Sequence, residues 1–303
     1  MSDSVSLKPL SRDPSRYKDV FLNAFCKIAR KDLEYEEICR HFDRTVMKQL
    51  TRFFSNEDQC NVLGVGVGEG REECHFVKNL GAYFTSVCNV AIDPNEDMLT
   101  IYKKSITALN SGNASSSLSS SSSSSPVVFH GFSGSLAQFV SDSPLAEYKY
   151  NLISSIHSIY YIGDLETTFT QLTSMLKDKG MMLIVCNKDN CILPRTFSEK
   201  TYLPTVVEER RSSNVVRAFA EKQGYDVITC RVPMDWDITD VFDEQSDFGN
   251  KLFDFFTQTA YFRHTAPAKL VDDLLSFWRS ISVLDKNGRI LVPADEEILI
   301  ISK

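Results

Sequence analysis

Long apolar runs are absent from this sequence. No uninterrupted stretch reaches the ~18 apolar residues that a membrane-spanning helix needs. The opening Met1–Ser4 does not begin a basic region followed by an apolar one, as a signal peptide would. We therefore expect a cytoplasmic protein that does not bind a membrane.

Paired cysteines and an excess of positive charge are also absent. The eight cysteines contain no CxxC motif and no paired metal spacing. Five of them lie in apolar stretches, where a free thiol packs like a small hydrophobe: Cys26, Cys60, Cys88, Cys186 and Cys230. The 33 basic residues are outnumbered by 40 acidic ones, whereas a nucleic-acid binder usually carries a basic face. We expect reduced cysteines, no metal and no nucleic-acid partner.

The remaining composition is that of a globular protein. Of the 303 residues, 43% are hydrophobic and 24% are charged, and a chain of this length can bury a large core. One segment departs from this pattern, because Ser111–Ser125 consists mostly of serine and cannot bury apolar area. We predict a single domain over residues 1–303, interrupted by a disordered serine-rich loop at 111–126.

Short apolar runs alternate with helical patterns along the chain. We predict strands at Cys60–Val65, Val87–Ile92, Val127–Phe129, Leu152–Ser155, Gly180–Cys186, Tyr225–Val232 and Glu297–Ile301. Helices are predicted after the first strand through Leu80, and at Asn95–Leu109, Leu165–Leu176 and Asn214–Gln223. Strands that alternate with helices form a mostly parallel sheet covered on both faces, so the predicted fold class is α/β.

The first fifty residues have a helical pattern. Tyr17, Phe21 and Phe25 recur at i, i+4 and i+8, which places them on one face. This face either packs on the sheet or forms a lid over a ligand.

A glycine cluster follows the first predicted strand, in the run Val62–Gly70 (Val-Leu-Gly-Val-Gly-Val-Gly-Glu-Gly). Glycines at the end of a strand let the backbone turn sharply and approach a ligand closely. The helix that follows points its N-terminus at the same place. We assign Gly64, Gly66 and Gly68 to the binding of a cofactor.

Two cofactor classes compete for this turn. A dinucleotide fingerprint requires G-x-G-x-x-G, but its last position is Glu69 when counted from Gly64 and Arg71 when counted from Gly66. A glutamate there would also repel a pyrophosphate. S-adenosylmethionine (SAM) carries no phosphate, and its cationic sulfonium and ammonium groups tolerate nearby acid. SAM is therefore the predicted cofactor.

An acid follows the second predicted strand, in Ala91-Ile92-Asp93-Pro94. A carboxylate at the end of this strand can accept hydrogen bonds from both ribose hydroxyls of a nucleoside. Asp93 could instead cap the next helix, with Glu96 completing a capping box. The glycine turn before it favours the ribose interpretation.

With these motifs in place, the chain resembles the histamine N-methyltransferases. The resemblance covers nearly the whole chain. It is densest in Val62–Gly70, Asp93-Pro94 with Tyr102, Tyr150–Asp164, Met234–Phe242, Leu252–Thr257 and Thr265-Ala266-Pro267. The Tyr160-Tyr161 pair and the late Asp-Phe-x-Thr and Thr-Ala-Pro motifs are more specific than the glycine turn.

The resemblance implies a Rossmann-like SAM-dependent methyltransferase fold, with a seven-stranded, mostly parallel sheet and an added substrate-binding part. We place that part in an N-terminal helical lid at residues 1–55 and in insertions at 187–212 and 234–295. By position, the cofactor site would include Gly66, Asp93, Met98, Ser135 and Ile156. An aromatic wall around the substrate would be formed by Tyr17, Phe21, Tyr160, Tyr161 and Phe255.

Positions that recognise the amine differ from those of the family. Family members hold the ammonium group of histamine with an acid on an early helix, and the matching stretch here is Ala29-Arg30-Lys31. An acid from Glu34, Glu36 or Glu37 replaces it if the helix is slightly shifted. If Arg30 faces the substrate, a carboxylate-bearing imidazole suits it better than a free amine. Otherwise Arg30 is a solvated helix charge.

Two further positions differ from the family. His157 stands where the family has a glutamine after the fourth strand, and a family asparagine falls at about Ala294, beside Asp295. His157 has three interpretations: it hydrogen-bonds the substrate, it acts as a general base, or it is a structural histidine.

The predicted function is therefore SAM-dependent methyl transfer to a nitrogen of a small amine or imidazole, by a monomer. Three alternatives stay open: a methyltransferase for a carboxylated imidazole such as histidine, a relative that binds SAM without catalysis, and an NAD-dependent oxidoreductase. The missing third glycine counts against the last of these.

Overall fold

A computed structural model describes residues 7–115, 126–199 and 212–303 of the chain. Ten strands are found in these ranges: β1 (Gln59–Val65), β2 (Ser86–Asp93), β3 (Val127–Ser133), β4 (Tyr150–Ile156), β5 (Leu176–Asn187), β6 (Asp226–Val232), β7 (Asp235–Asp237), β8 (Val283–Leu284), β9 (Ile290–Pro293) and β10 (Glu296–Ser302).

Thirteen α-helical segments accompany the strands in the same ranges. They are α1 (Pro14–Val20), α2 (Cys26–Ile28), α3 (Lys31–His41), α4 (Met47–Phe53), α5 (Arg71–Leu80), α6 (Glu96–Ser115), α7 (Leu136–Asp142), α8 (Leu165–Met175), α9 (Ile192–Glu199), α10 (Ser213–Lys222), α11 (Asp247–Thr257), α12 (Phe262–Thr265) and α13 (Ala268–Ser280). Short 3-10 turns span Leu10–Arg12, Pro144–Glu147, Ile159–Tyr161 and Thr239–Phe242, and π-helical turns span Phe21–Phe25 and Phe42–Val46.

The chain divides into two compact units. The sheet unit comprises Tyr35–Cys186, Val215–Cys230 and Glu297–Lys303. The auxiliary unit comprises Met1–Glu34, Asn187–Asn214 and Arg231–Glu296. The residues of the predicted single domain, 1–303, are thus distributed over two compact units. The auxiliary segments begin and end near the predicted insertions at 187–212 and 234–295.

The predicted N-terminal lid, residues 1–55, is shared between the two units. The auxiliary unit ends at Glu34, and the chain after it belongs to the sheet unit. One reason is that Phe42 stacks on Phe76 of α5, with ring centroids 4.2 Å apart. The functions of the lid and of the insertions stay predictions.

The sheet unit contains a seven-stranded sheet in the order β3-β2-β1-β4-β5-β10-β6. The pairs β1–β2, β2–β3, β1–β4 and β4–β5 are parallel. This confirms the predicted α/β class. All seven predicted strands are present, six of them with longer bounds and β6 beginning one residue later than predicted. The central strands are buried along most of their length. Apolar side chains of α7, α8 and α10 pack on one face of the sheet, and α5 and α6 also contact its strands.

The helix α6 runs further than the sequence predicted, through Ser115 instead of Leu109. Serine hydroxyls fit this extension because they bond back to the helix: the Ser111 hydroxyl donates to the Thr107 carbonyl at 2.9 Å. The Asn110 side chain also exchanges two hydrogen bonds with the backbone of Val127, at 2.9 and 3.0 Å. The first five residues of the predicted loop at 111–126 are therefore helical, and residues 116–125 lie outside the described residues.

The auxiliary unit is built around α11. The buried Asp254 carboxylate accepts hydrogen bonds from Arg16 of α1 and from the backbone amides of Tyr261 and Phe262, at 2.8 to 2.9 Å. A small sheet in the order β7-β9-β8 completes this unit. The sequence reasoning did not predict this sheet, because its strands are only two to four residues long.

Candidate functional site

The strand order of the large sheet reverses between β1 and β4. Strands β2 and β3 extend from β1 in one direction, while β4 and β5 lie on the other side. In open α/β sheets, ligands bind beyond the carboxyl ends of the strands at such a reversal. Gly64 lies in the last residues of β1, Gly66 and Gly68 follow that strand, and His157 follows β4, so both sequence signals lie at this point.

The glycine turn folds back onto the end of β2. The Gly66 amide donates to the Ile92 carbonyl at 2.7 Å, and the Gly68 amide donates to the Asp93 carboxylate at 2.8 Å. Gly66, Gly68 and Gly70 all have positive φ, between 54° and 67°, a region that side chains disfavour. The sequence-predicted glycines Gly66 and Gly68 therefore form one turn with Asp93.

Two of these glycines are also required by close packing. A Cβ atom on Gly66 would lie 2.4 Å from the Cβ of Ser158, and one on Gly70 would lie 2.3 Å from the ring of the buried Tyr102. The Ser158 hydroxyl in turn donates to the Val65 carbonyl at 2.6 Å. The turn thus packs against Ser158 and Tyr102. Gly68 is different, because a Cβ there would meet nothing within 4 Å. Gly64 has ordinary backbone but packs against Val67.

Asp93 makes hydrogen bonds with both of its carboxylate oxygens. One accepts the Gly68 amide and the other accepts the Asn95 amide, each at 2.8 Å. The bond to Asn95 is an Asx turn leading into α6, and not the capping box with Glu96 considered above. Each carboxylate oxygen has two lone pairs, so Asp93 retains an acceptor site on each oxygen for a ribose hydroxyl.

The other predicted cofactor residues lie at the same edge of the sheet. Met98 is half-buried in the first turn of α6, and Ile156 ends β4. Ser135 follows β3 and forms a capping box with Gln138 at the start of α7. Its hydroxyl accepts a hydrogen bond from the Gln138 amide. Because β3, β2, β1 and β4 are neighbours, these positions follow four adjacent strands. Their cofactor contacts stay predictions.

His157 stands directly after β4 in strained backbone. Its φ is +51°, a left-handed conformation that is uncommon outside glycine and clusters at functional sites. Its amide donates to the Val185 carbonyl at 3.0 Å, and its Nδ1 lies 2.6 Å from the Tyr160 hydroxyl. Tyr160 also contacts the exposed Tyr161 edge to face, with ring centroids 5.5 Å apart. The structure brings these three predicted residues together.

A buried acid beneath the glycine turn was missed by the sequence reasoning. Glu73, in the first turn of α5, is 2% exposed and accepts a hydrogen bond from the Ser154 hydroxyl at 3.0 Å. Burial, with a smaller effect of Glu72, raises the pKa of the Glu73 carboxyl to about 8. The signal was available, because Glu73 precedes Phe76, Val77 and Leu80 at the spacings of one buried helix face.

The remaining predicted substrate residues belong to the auxiliary unit. Tyr17 stacks on Phe21 at 5.9 Å, and Phe21 lies 6.4 Å from Phe255. Phe25, from the same helical face, stacks on Phe255 at 4.0 Å and meets Trp236 edge to face. The structure therefore gathers the predicted aromatic face onto α11, with a π-helical turn at Phe21–Phe25 that the sequence pattern did not predict.

The positions of Arg30 and Ala294 do not support their predicted contacts with a substrate. Arg30 is exposed between α2 and α3, and its carbonyl accepts the Leu33 amide, which favours the solvated-charge interpretation. Ala294 is fully buried and its amide donates to the Met234 carbonyl. On α3, Glu34 is buried and pairs with Lys31 at 2.5 Å. Of the three acids considered as a replacement for the family's acid, Glu34 is the buried one, and its role toward a substrate stays a prediction.

Asp295, next to Ala294, connects several segments of the auxiliary unit through hydrogen bonds. Its carboxylate accepts hydrogen bonds from Asn190, from Arg231 and from the Met234 amide. These bonds join three stretches that are distant in the sequence.

The fold and the glycine turn together define a Rossmann-like methyltransferase. A family model described as "Methyltransferase domain" matches residues 39–230, and the chain belongs to this family. The assignment confirms the predicted fold and the predicted cofactor, SAM. Within the described residues, no helix is both long and apolar enough to cross a bilayer.

Similar proteins extend beyond the range of the family model. Histamine N-methyltransferase B of Xenopus laevis is 23% identical, over 97% of this chain and 98% of its own. Carnosine N-methyltransferase 2 of Gallus gallus is 26% identical, over 76% of this chain and 70% of its own. A cyclopropane-fatty-acyl-phospholipid synthase-like protein of Lactobacillus casei ATCC 334 has the same fold, with a TM-score of 0.51 at 11% identity, covering 88% of this chain and 92% of its own. The resemblance to histamine N-methyltransferases is therefore confirmed.

Proposed function

We propose that this protein transfers the methyl group of SAM to a nitrogen of a small amine or imidazole compound. One observation supports nitrogen as the atom that accepts the methyl group. The similarity to histamine N-methyltransferases covers 97% of the chain, whereas the family model ends at residue 230. The match therefore includes the segments of the auxiliary unit that follow the general methyltransferase domain.

The glycine turn suits SAM better than a phosphate-bearing cofactor. Two acids besides the buried Glu73 lie at the turn and at the start of α5: Glu69 and Glu72. Negatively charged side chains at a helix N-terminus interact with the positive end of the helix dipole. They would also repel a pyrophosphate bound at the same place. SAM brings a cationic sulfonium and no phosphate. In this proposal Asp93 accepts the ribose hydroxyls and the backbone of Gly66–Gly70 lies along the cofactor.

Methyl transfer is a displacement along one axis. The substrate nitrogen forms a bond to the methyl carbon, the bond from that carbon to sulfur breaks, and S-adenosylhomocysteine leaves. An imidazole with a pKa near ~6.5 is mostly neutral at neutral pH, so its lone pair needs no base. The chain then contributes mainly by positioning, which can supply up to ~7–11 kcal/mol. The proton of the product imidazolium is released to solvent.

Transfer moves positive charge from sulfur to the accepting nitrogen. An aromatic face stabilises such a cation by about 0.5–2 kcal/mol, depending on desolvation. Tyr160 and the exposed Tyr161, which follow His157 in the sheet unit, are the candidates for this effect. We propose Glu34 as the acid for a substrate ammonium, because it is buried on an early helix.

The proposal is tested by binding followed by turnover. Calorimetry should detect heat with SAM and S-adenosylhomocysteine and none with NAD. Labelled SAM is then incubated with a panel of amines and imidazoles, and mass spectrometry locates the methyl group. A labelled nitrogen supports the proposal. Binding without transfer to any acceptor indicates a non-catalytic relative, and binding of NAD alone indicates an oxidoreductase.

A further inference from the structure

A buried carboxyl group lies at the point where the strand order of the large sheet reverses. Gly64 of β1 and Ser154 of β4 are register partners across this reversal. The Glu73 carboxyl accepts a hydrogen bond from the Ser154 hydroxyl at 3.0 Å, and a Cβ on Gly64 would lie 3.4 Å from the Cγ of Glu73. Glu73 therefore contacts both strands whose carboxyl ends flank the cofactor turn.

The Glu73 carboxyl is mostly protonated at neutral pH while no ligand is bound. Burial raises its pKa to about 8, and the charge of Glu72 adds to this effect. The Ser154 hydroxyl and the Glu73 amide favour the ionised form, but they do not outweigh burial. A small favourable interaction with the ionised form is therefore enough to release the proton near neutral pH.

The other titratable groups around Glu73 stay neutral at this pH. Cys74 lies beside it on α5 and Tyr102 faces it from α6. Burial raises the pKa of the Cys74 thiol to about 12 and that of the Tyr102 phenol well above its usual range. β1 and β4 contact Glu73 through a glycine and a serine, which carry no charge. A cation brought to this edge of the sheet by a ligand would therefore favour the ionised form of Glu73.

SAM and S-adenosylhomocysteine differ in such a cation, because SAM carries a sulfonium and S-adenosylhomocysteine a neutral sulfur. We propose that Glu73 is a specificity-determining residue for the cofactor, whose carboxyl releases a proton to solvent when SAM binds and takes one up again when methyl transfer leaves a neutral sulfur. Ligand and proton then affect each other's binding by the same factor. Glu73 thereby favours SAM over the product. The inference depends on the cofactor and not on the acceptor in the proposed function.

The proton is counted by calorimetry on the whole protein at about pH 7, in buffers that differ in ionisation enthalpy. The dependence of the binding enthalpy on the buffer gives the number of protons released. We expect the wild type to release about half a proton more with SAM than with S-adenosylhomocysteine. Glu73→Gln should remove most of this difference, because the amide does not titrate. Equal release with the two ligands in the wild type overturns the proposal.

Cofactor selection is measured as the ratio of the affinities for SAM and S-adenosylhomocysteine, from about pH 6 to about pH 9. In the wild type this ratio should rise by about tenfold, the equivalent of one pKa unit, and level off above about pH 8. In Glu73→Gln it should stay low and nearly constant. Glu69→Gln is the matched control, since it removes an exposed acid of the same turn and should keep the rise. An equal rise in Glu73→Gln contradicts the proposal.

A second variant keeps the test decisive if Glu73→Gln does not fold. Ser154→Ala removes a hydrogen bond that favours the ionised form of Glu73, so the rise in the affinity ratio should move to higher pH. A rise at the same pH would show that another group titrates.

These measurements need no turnover, which separates the inference from the proposed function. If SAM binding releases the proton and no acceptor is methylated, the proposed function alone fails. If methyl transfer is found and both ligands release the same number of protons, the inference alone fails.

Discussion

At the scale of single residues, the glycine turn is constrained by contacts that lie outside it. Gly66 faces Ser158 and Gly70 faces the Tyr102 ring, so each position needs glycine both for its dihedral angles and for its neighbour. The turn is therefore rigid before any ligand binds. Rigid backbone lowers the entropy that binding must overcome.

Gly66→Ala should show this constraint. The new Cβ would collide with Ser158, so the free energy of unfolding should fall by about 1–3 kcal/mol, and SAM affinity should fall at least about tenfold. Denaturant unfolding and calorimetry measure the two effects. Gly224→Ala is the control, because Gly224 also has positive φ but a Cβ there meets nothing within 4 Å. Equal losses in both variants would leave only backbone strain as the cause.

Glu73 should make the stability of the protein depend on pH. Burial raises the pKa of its carboxyl to about 8 in the folded state, against about 4.3 for an ordinary glutamate. The folded state thus holds a proton that the unfolded state releases between these values. The stabilisation is complete below the unfolded pKa and is lost as pH rises through about 8.

Glu73→Gln tests this dependence. The amide can still accept from Ser154 but does not titrate, so the free energy of unfolding should fall less steeply between pH 5 and 8 than in the wild type. Denaturant unfolding at several pH values gives the slope. Glu69→Gln, at the exposed acid of the turn, should keep the wild-type slope. Parallel curves for the wild type and Glu73→Gln would show that Glu73 is already ionised in the folded state.

At the scale of elements, the auxiliary unit is organised by α11. Its one buried carboxylate, Asp254, joins α1 through Arg16 and fixes the turn before α12. That turn contains left-handed residues at Gln258 and Tyr261, and the Arg16 guanidinium lies 4.7 Å from the centre of the Tyr261 ring. A strained turn of this kind persists only when its surroundings hold it in place.

Asp254→Ala should therefore be severely destabilising. It removes the partner of a largely buried arginine and of two backbone amides, and breaking a buried pair in this way costs about 3–5 kcal/mol. Thermal unfolding measures the loss. The matched control is Asp247→Ala on the same helix, whose side chain is 79% exposed and pairs with Lys251. A small effect at Asp254 would show that α11 is held by its apolar contacts alone.

At the scale of the whole molecule, the ligand should stabilise one part of the chain. A ligand that binds only the folded state adds about 2.7 kcal/mol at a concentration of a hundred times its Kd. SAM and S-adenosylhomocysteine should raise the unfolding temperature, and NAD should not. Hydrogen exchange should place the protection at Gly64–Gly70 and at Asp93–Asn95. Protection confined to the auxiliary unit would contradict this location of the cofactor site.

Much of the sheet unit was predictable from the sequence. Every strand of its sheet was predicted from apolar runs of three to eight residues. The turn and Asp93 were located by their position at the ends of those strands, and His157 was located by the family resemblance. The family resemblance predicted segments close to those of the auxiliary unit, but not that this unit ends at Glu34, because that boundary depends on contacts such as Phe42 with Phe76 that join distant segments. The short strands β7, β8 and β9 were missed because two to four residues are too few to show a strand pattern.

The sequence by itself determined the order of strands and helices, the glycine turn with its acid, and the class of cofactor. These follow from local patterns, since periodicity and glycine content act within a few residues. Only the tertiary structure decided that Ser154 bonds Glu73, that Tyr160 bonds His157, and that Phe25 joins Phe21 and Phe255 on α11. Such contacts form between residues that are far apart in the sequence. A pattern within a few residues does not show which distant side chains the fold brings together.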